Sequence, residues 1–290
     1  MVPVIPREWF SSILNHAYRI LTHEETNSMN VIRLFVVLAL LLTAAPALAQ
    51  DGTHTIAFDG FRFSFADAVA SRVIVQHYPG DDPQIGPGGA DAPHLRFELS
   101  HVSHDPMPEA PPPVIGDVRV YTIADMAGYE GYAERVEQLK ALLAARPDLS
   151  PYQVVVENLT QNTLPFLPIL PAGQLLRARA EYVDTPAVSG ISYLVVYRQD
   201  VSPLVSNDFV WTFQGLSADG SRYISASVRL STPLFPNEVS GDFDWVNWTQ
   251  EQWIAAFNEG IATLNAASPS DFSPSLDSLA AMVNSFAFAD

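Results

Sequence analysis

Histidine is the residue type whose placement first suggests chemistry. Of the five histidines after residue 50, four fall between His77 and His104, both ends included. His101 and His104 stand three apart, with Glu98 before them and Asp105 directly after. Imidazole nitrogens and carboxylate oxygens at this spacing can ligate zinc or another divalent ion. Strand geometry works against it, because residues three apart on a strand project to opposite faces. His101, His104, Glu98 and Asp105 therefore make a metal site only if the strand ends near Val102; a solvated strand end is the plainer reading. No HExxH helix or other zinc signature accompanies them.

A second group is aromatic. Phe243, Trp245, Trp248 and Trp253 are interleaved with Asp242 and Asp244. Indole faces beside carboxylates suit stacking on sugar rings, which makes Trp245, Trp248, Asp242 and Asp244 candidate ligand-binding residues. A structural reading competes. Thr249 and Gln252 have the spacing of a capping box, and Trp248 and Trp253 then occupy the two positions of a hydrophobic staple. The proline-punctuated stretch from Pro165 to Pro171 favours polyproline II. Exposed, it would dock a partner; buried, it is a rigid crossover, and its apolar side chains favour burial.

Signatures of covalent catalysis are missing. Gly215 to Gly220 fails the G-x-S-x-G elbow because Asp219 stands where the second glycine is needed. There is no S-x-x-K, Walker loop or dinucleotide fingerprint. Asp81, Asp82 and Asp91 share a glycine-rich loop without the spacing of a calcium loop. The chain has no cysteine, and Lys140 is its only lysine. Thiol chemistry is thereby excluded, and lysine chemistry is confined to one expected helix surface. No catalytic residue can be named and no cofactor is expected. Paired carboxylates of a glycoside hydrolase remain open, because their separation is set in three dimensions.

The elements that must position these residues read as follows. Alternating residues on either side of Asp59-Gly60, from Thr55 to Phe65, predict a hairpin with a type I′ turn. Arg72–His77, Leu95–Leu99 and Val118–Ile123 read as strands, separated by loops at Gly80–Pro93 and His104–Pro113. Asp125 can cap a helix whose stripe is Tyr129, Tyr132, Val136, Leu139 and Leu143, ended by Arg146-Pro147. Strands follow near Gln174–Val183, Gly190–Arg198, Asp208–Leu216 and Ser221–Leu230, with Asp219-Gly220 as a second hairpin turn. Two helices close the chain. One is capped at Thr249 and buries Ile254, Phe257, Ile261 and Leu264. The other opens at Ser273-Pro274 and buries Leu276, Leu279, Val283 and Phe286.

This order predicts an α+β fold: a predominantly antiparallel sheet packed against about three helices, in a single domain over residues 50–290. Residues 29–49 have the parts of a secretory signal peptide. Arg33 gives the positive start, Leu34–Leu42 the apolar stretch, and Ala47-Leu48-Ala49 the small-x-small cleavage site. Thr43 and Pro46 interrupt the apolar run well short of the roughly 20 residues of a membrane span. Residues 1–28 read as an upstream extension rather than a domain. The expected location is secreted or periplasmic, with no stable membrane anchor after cleavage.

The composition is 48% hydrophobic and 16% charged, enough apolar material for a core. The formal charge of −17 repels nucleic-acid phosphates, so no nucleic-acid partner is expected. The reading that results is a non-enzymatic, exported module binding a ligand or protein partner. The alternatives are a secreted hydrolase using carboxylates or a metal, and a carbohydrate-binding module built on the 243–253 aromatics.

Overall fold

The computed structural model describes residues 52–84, 89–102, 113–158 and 161–289, all within one unit, Asp51–Asp290. The signal-like segment 29–49 and residues 1–28 lie outside the described residues. Every described strand pairing is antiparallel. Three strands, β1 (Thr53–Phe58), β2 (Phe61–Ala66) and β10 (Ala287–Phe288), make a small sheet in the order β1-β2-β10. The large sheet joins β3 (Arg72–Tyr78), β4 (His94–Ser100), β5 (Val114–Thr122), β6 (Gly173–Asp184), β7 (Val188–Arg198), β8 (Val210–Ser217) and β9 (Arg222–Arg229). Its order is β3-β4-β5-β9-β8-β7-β6. Among the described residues three α-helices accompany the sheets: α1 (Tyr132–Ala145), α2 (Gln250–Ala266) and α3 (Leu276–Asn284). The α+β architecture expected from the sequence is the one observed. Among the described residues, no helix is long and apolar enough to cross a membrane.

Both faces of the large sheet are covered, which its residue pattern requires. On one face Phe97, Val118, Leu194, Phe213 and Ala226 meet Phe61 and Phe63 of the small sheet, Phe257 and Ile261 of α2, and Leu279 and Val283 of α3. Phe63 lies edge-on to Phe97, with ring centroids 5.2 Å apart, and Phe286 lies edge-on to Phe63 at 5.8 Å. Each such fully buried ring contributes about 2–3 kcal/mol of transfer free energy. On the other face Ile191, Tyr193 and Val195 pack against Tyr132, Val136, Leu139 and Leu142 of α1 and against Leu164, Phe166 and Leu167. The proline-punctuated stretch is thus buried from Leu164 to Leu167 and exposed at Leu170 and Pro171.

Turn chemistry explains the first hairpin and revises the second. Asp59 and Gly60 have φ of 49° and 76°, so both central residues are left-handed as a type I′ turn demands. At the second hairpin only Gly220 has positive φ, 70°. There Gly220 N–H donates to Ser217 O at 2.8 Å, in a longer loop that the Asp219 carboxylate closes by accepting from Ser217 and Ser221.

Helix starts also differ. α1 begins at Tyr132, because Gly128 and Gly131 take φ of 95° and 77° and interrupt the helix; Asp125 sits in a preceding 3-10 turn. Its inward residue near the end is Leu142 rather than Leu143. α2 starts where its capping box places it: Thr249 is the N-cap, and its N–H donates to Gln252 Oε1 at 2.9 Å. α3 is capped two residues later than expected, by Ser275, whose Oγ accepts from Ser278 N–H at 3.2 Å. Ser273 instead pairs with Ser231 in an isolated bridge.

Candidate functional site: a cleft beside a bulged strand

The feature that shapes the site is an extra residue in β6. Opposite β7, Ala178 pairs with Leu194 but the next partners are Glu181 and Ser192, so two residues of β6 stand against one of β7. Such a bulge moves the following side chains to the other face. Before it, Leu176 and Ala178 face the α2/α3 side; after it, Val183 faces that side, while Ala180 and Tyr182 face α1. Glu181, two residues from Val183, is thereby carried onto the α3 side. Without the extra residue it would point toward α1.

Arg179 makes the bulge by adopting φ of 52°, a left-handed conformation unfavourable for a residue with a Cβ. Its surroundings over-determine that conformation. Arg179 N–H donates to Asn265 Oδ1 at 2.7 Å. Its Nη1 donates to Ala267 O at 2.7 Å and Leu264 O at 3.1 Å, carbonyls at the C-terminus of α2. A cation there also meets the negative end of the helix dipole.

The resulting cleft encloses about 420 Å³ between β6, the sheet and α3. Leu194, Trp211 and Val283 supply apolar surface, while Glu181 and Asp277 bring carboxylates from β6 and α3. Trp211 is 5% exposed, and its indole N–H has no acceptor among the described residues. Glu181 accepts from Ser192 Oγ at 3.2 Å and, like Asp277, has no cationic partner among the described residues. Asp184 also lines the cleft, but Arg146 and Ser189 hold it, and the Arg146 hydrogen bond keeps its carboxyl below the usual range. The surrounding chain adds to the negative field: from Ser231 to Asp290 there are eight acidic residues and no Lys, Arg or His. No Cys, His or Lys lines the cleft among the described residues.

The aromatic group named from the sequence stays together in space. Phe243 lies edge-on to Trp245, with centroids 4.8 Å apart, and to Trp248, at 5.1 Å. Trp248 packs against the core and donates its indole N–H to Val201 O at 2.7 Å, while Trp253 is buried. Trp245 is 55% exposed, and Val246 beside it 93%. Asp244 accepts from the N–H groups of Val246 and Asn247 and from Asn247 Nδ2, and Asp242 accepts from Ser240. These carboxylates fold their own loop. Trp245 is the member of the group that offers an open face.

Of the metal candidates, His101 is exposed just past the end of β4 at Ser100, and His104 and Asp105 lie outside the described residues. Glu98 stands 3.6 Å from Arg96. Among the described residues, no group of three or more potential ligands is poised for a metal ion.

Glu98 belongs to a charged ladder that sequence reasoning missed. Asp117 accepts from Arg96 and Arg119, each Nε at 2.9 Å. Asp91 accepts from Arg119, Tyr121 and Tyr132. His94 lies between the rings of Tyr78 and Tyr121 at 4.9 and 4.7 Å. Its Nδ1 donates to Ala92 O at 2.7 Å, and its buried Nε2 has no partner among the described residues. Burial pushes the His94 pKa down, so the ring is neutral. Tyr78, hydrogen-bonded to Asp81, is pushed up to about 12. The ladder pins Asp81 and Asp91 to the sheet; its signal in the sequence is charge at Arg96, Glu98, Asp117 and Arg119 in strands that are otherwise apolar. The chain matches no protein-family model and no curated protein.

Proposed function

We propose that this is an exported, non-enzymatic binding protein whose β6 cleft takes a small ligand with a cationic group and an apolar body. The signal-like segment supports export. The observation that carries the ligand class is the bulge: a strained Arg179 turns Glu181 onto the same cleft as Asp277 and the Trp211 indole. A volume of about 420 Å³ lies in the roughly 300–1,000 Å³ range of small-molecule sites. Carboxylates without a cationic partner favour an ammonium or guanidinium ligand, and Leu194, Trp211 and Val283 favour an apolar body beside it. Ser192 Oγ donates to Glu181 in the cleft, but no His, Cys or Lys stands beside that pair among the described lining residues, which supports binding over turnover.

The test is calorimetric titration with 2-phenylethylamine. Glu181→Gln and Asp277→Asn should each weaken binding about tenfold, the worth of one charge-assisted hydrogen bond. Unchanged affinity in both variants would refute the cleft. The two carboxylates on facing walls also favour a second reading, a carboxylate-dependent hydrolase with one acid and one base. Turnover of aryl glycosides that both variants abolish would establish it in place of the binding role.

A further inference from the structure

We infer that the ligand is a short peptide-like chain, basic at one end and ending in a free carboxylate, which reaches from the cleft to Arg222; this rests on the cleft being the binding site. A second groove of about 710 Å³ runs between the β6–β7 turn, the β8–β9 turn and the chain after α3. It adjoins the cleft: Asn284 lines both, and β6 leads from Val183 and Asp184 in the cleft to Pro186 and Ala187 in the groove.

The groove differs from the cleft in charge. Arg222 lines it with the guanidinium carbon 5.6 Å from the centroid of the Phe288 ring, and has no carboxylate partner among the described residues. Asp219 lines it too, but its oxygens accept from Ser217 Oγ, Ser221 Oγ and Ser221 N–H. Arg222 is thus the cation free to receive an anionic end, and its planar fork suits a carboxylate.

Sheet register gives the span between the two ends. Glu181 pairs with Ser192, Ser192 with Phe213 and Phe213 with Ala226, so three strand spacings separate β6 from β9. Arg222 stands four residues along β9 from Ala226, an even number, so it projects from the same face as Glu181. Three spacings of ~4.8 Å and four rises of ~3.3 Å combine to a diagonal of roughly 20 Å. That face is covered between the two ends, so the route runs past Asn284 and the β6–β7 turn, and an extended peptide needs at least about six residues to span it.

The test is titration with a hexapeptide that starts with lysine, has four alanines and ends in phenylalanine, compared with its C-terminal amide. The free acid should bind about tenfold more tightly than the amide. Arg222→Gln should abolish that difference, and Arg222→Lys should restore part of it. Glu181→Gln should weaken acid and amide equally. Equal binding of acid and amide to the wild type would overturn the inference, as would failure of both to bind. If 2-phenylethylamine still depends on Glu181 in that case, the cleft stands without its extension; if that dependence is also gone, the binding reading itself falls.

Discussion

Arg179 links the fold to the site, and two substitutions there separate its roles. Arg179→Ala removes the guanidinium donors to Ala267 O and Leu264 O at 2.7 and 3.1 Å but keeps the left-handed φ of 52°. Hydrogen bonds from a charged donor are worth about 1.5–3 kcal/mol each in well-formed cases. The site is only half-buried, so the pair together should contribute about 2–3 kcal/mol. For a domain of this size that corresponds to a fall in Tm of roughly 4–12 °C. Arg179→Gly loses the same bonds but tolerates φ of 52° without a Cβ clash, which returns about 1 kcal/mol relative to alanine. Urea denaturation at constant m-value reads both. The order of stability should be wild type, then Gly, then Ala, and the Gly variant should still bind 2-phenylethylamine because the bulge survives. A Gly variant no more stable than Ala would show that Arg179 is not held left-handed. An Ala variant as stable as wild type would show that its guanidinium does not hold α2.

Three further outcomes follow from the geometry. His94 is neutral in the fold with its pKa lowered by burial, whereas the unfolded chain takes up a proton near pH 6.5. Its contribution is therefore fully present above about pH 6.5 and declines as pH falls toward the folded pKa, by up to about 1.4 kcal/mol per pH unit. Urea midpoints at pH 7 and 5.5 should fall less in His94→Gln than in wild type, and identical slopes would contradict this. A Cβ at Gly190 would sit 2.4 Å from Gln214 O and 2.7 Å from both Gly215 Cα and Phe213 Cε2, so Gly190→Ala must displace backbone. It should destabilise by about 3 kcal/mol in chemical denaturation; a loss under about 0.5 kcal/mol would refute that packing. Ser285 Oγ accepts from Ser64 N–H at 2.7 Å, completing β2 where β10 has not yet begun. Ser285→Ala should cost about 1–2 kcal/mol and speed exchange of the Ser64 amide hydrogen, whereas unaltered exchange would show another acceptor.

Much of the scaffold was legible because it rests on local rules. The hairpin at Asp59-Gly60, the Thr249 cap and the four strands from β6 to β9 each follow from turn chemistry, capping or alternation over a few residues. The Tyr129–Tyr132 spacing fits a helix and so predicts too early a start for α1, while the left-handed glycines at 128 and 131 are backbone choices that periodicity does not report. The cleft was not legible at all. Glu181 reads as a solvent-facing residue in a strand, and Asp277 as the polar side of an amphipathic helix. Only the extra residue at the bulge, visible as a register shift against β7, places Glu181 on the cleft face. The ladder of Asp91, Asp117 and Arg119 was hidden for a related reason. Its members are far apart in the chain, and their pairing depends on which face of β4 and β5 turns toward the Asp81–Asp91 loop.

The most direct test compares 2-phenylethylamine with 2-phenylethanol, which has the same body without the charge, by calorimetry and by the indole N–H resonance of Trp211. The account predicts that the amine binds at least about tenfold more tightly, that the gap narrows as salt is added, and that the Trp211 resonance shifts with the amine. Equal affinities, or binding that leaves Trp211 unmoved, would contradict a cation-selecting cleft beside β6.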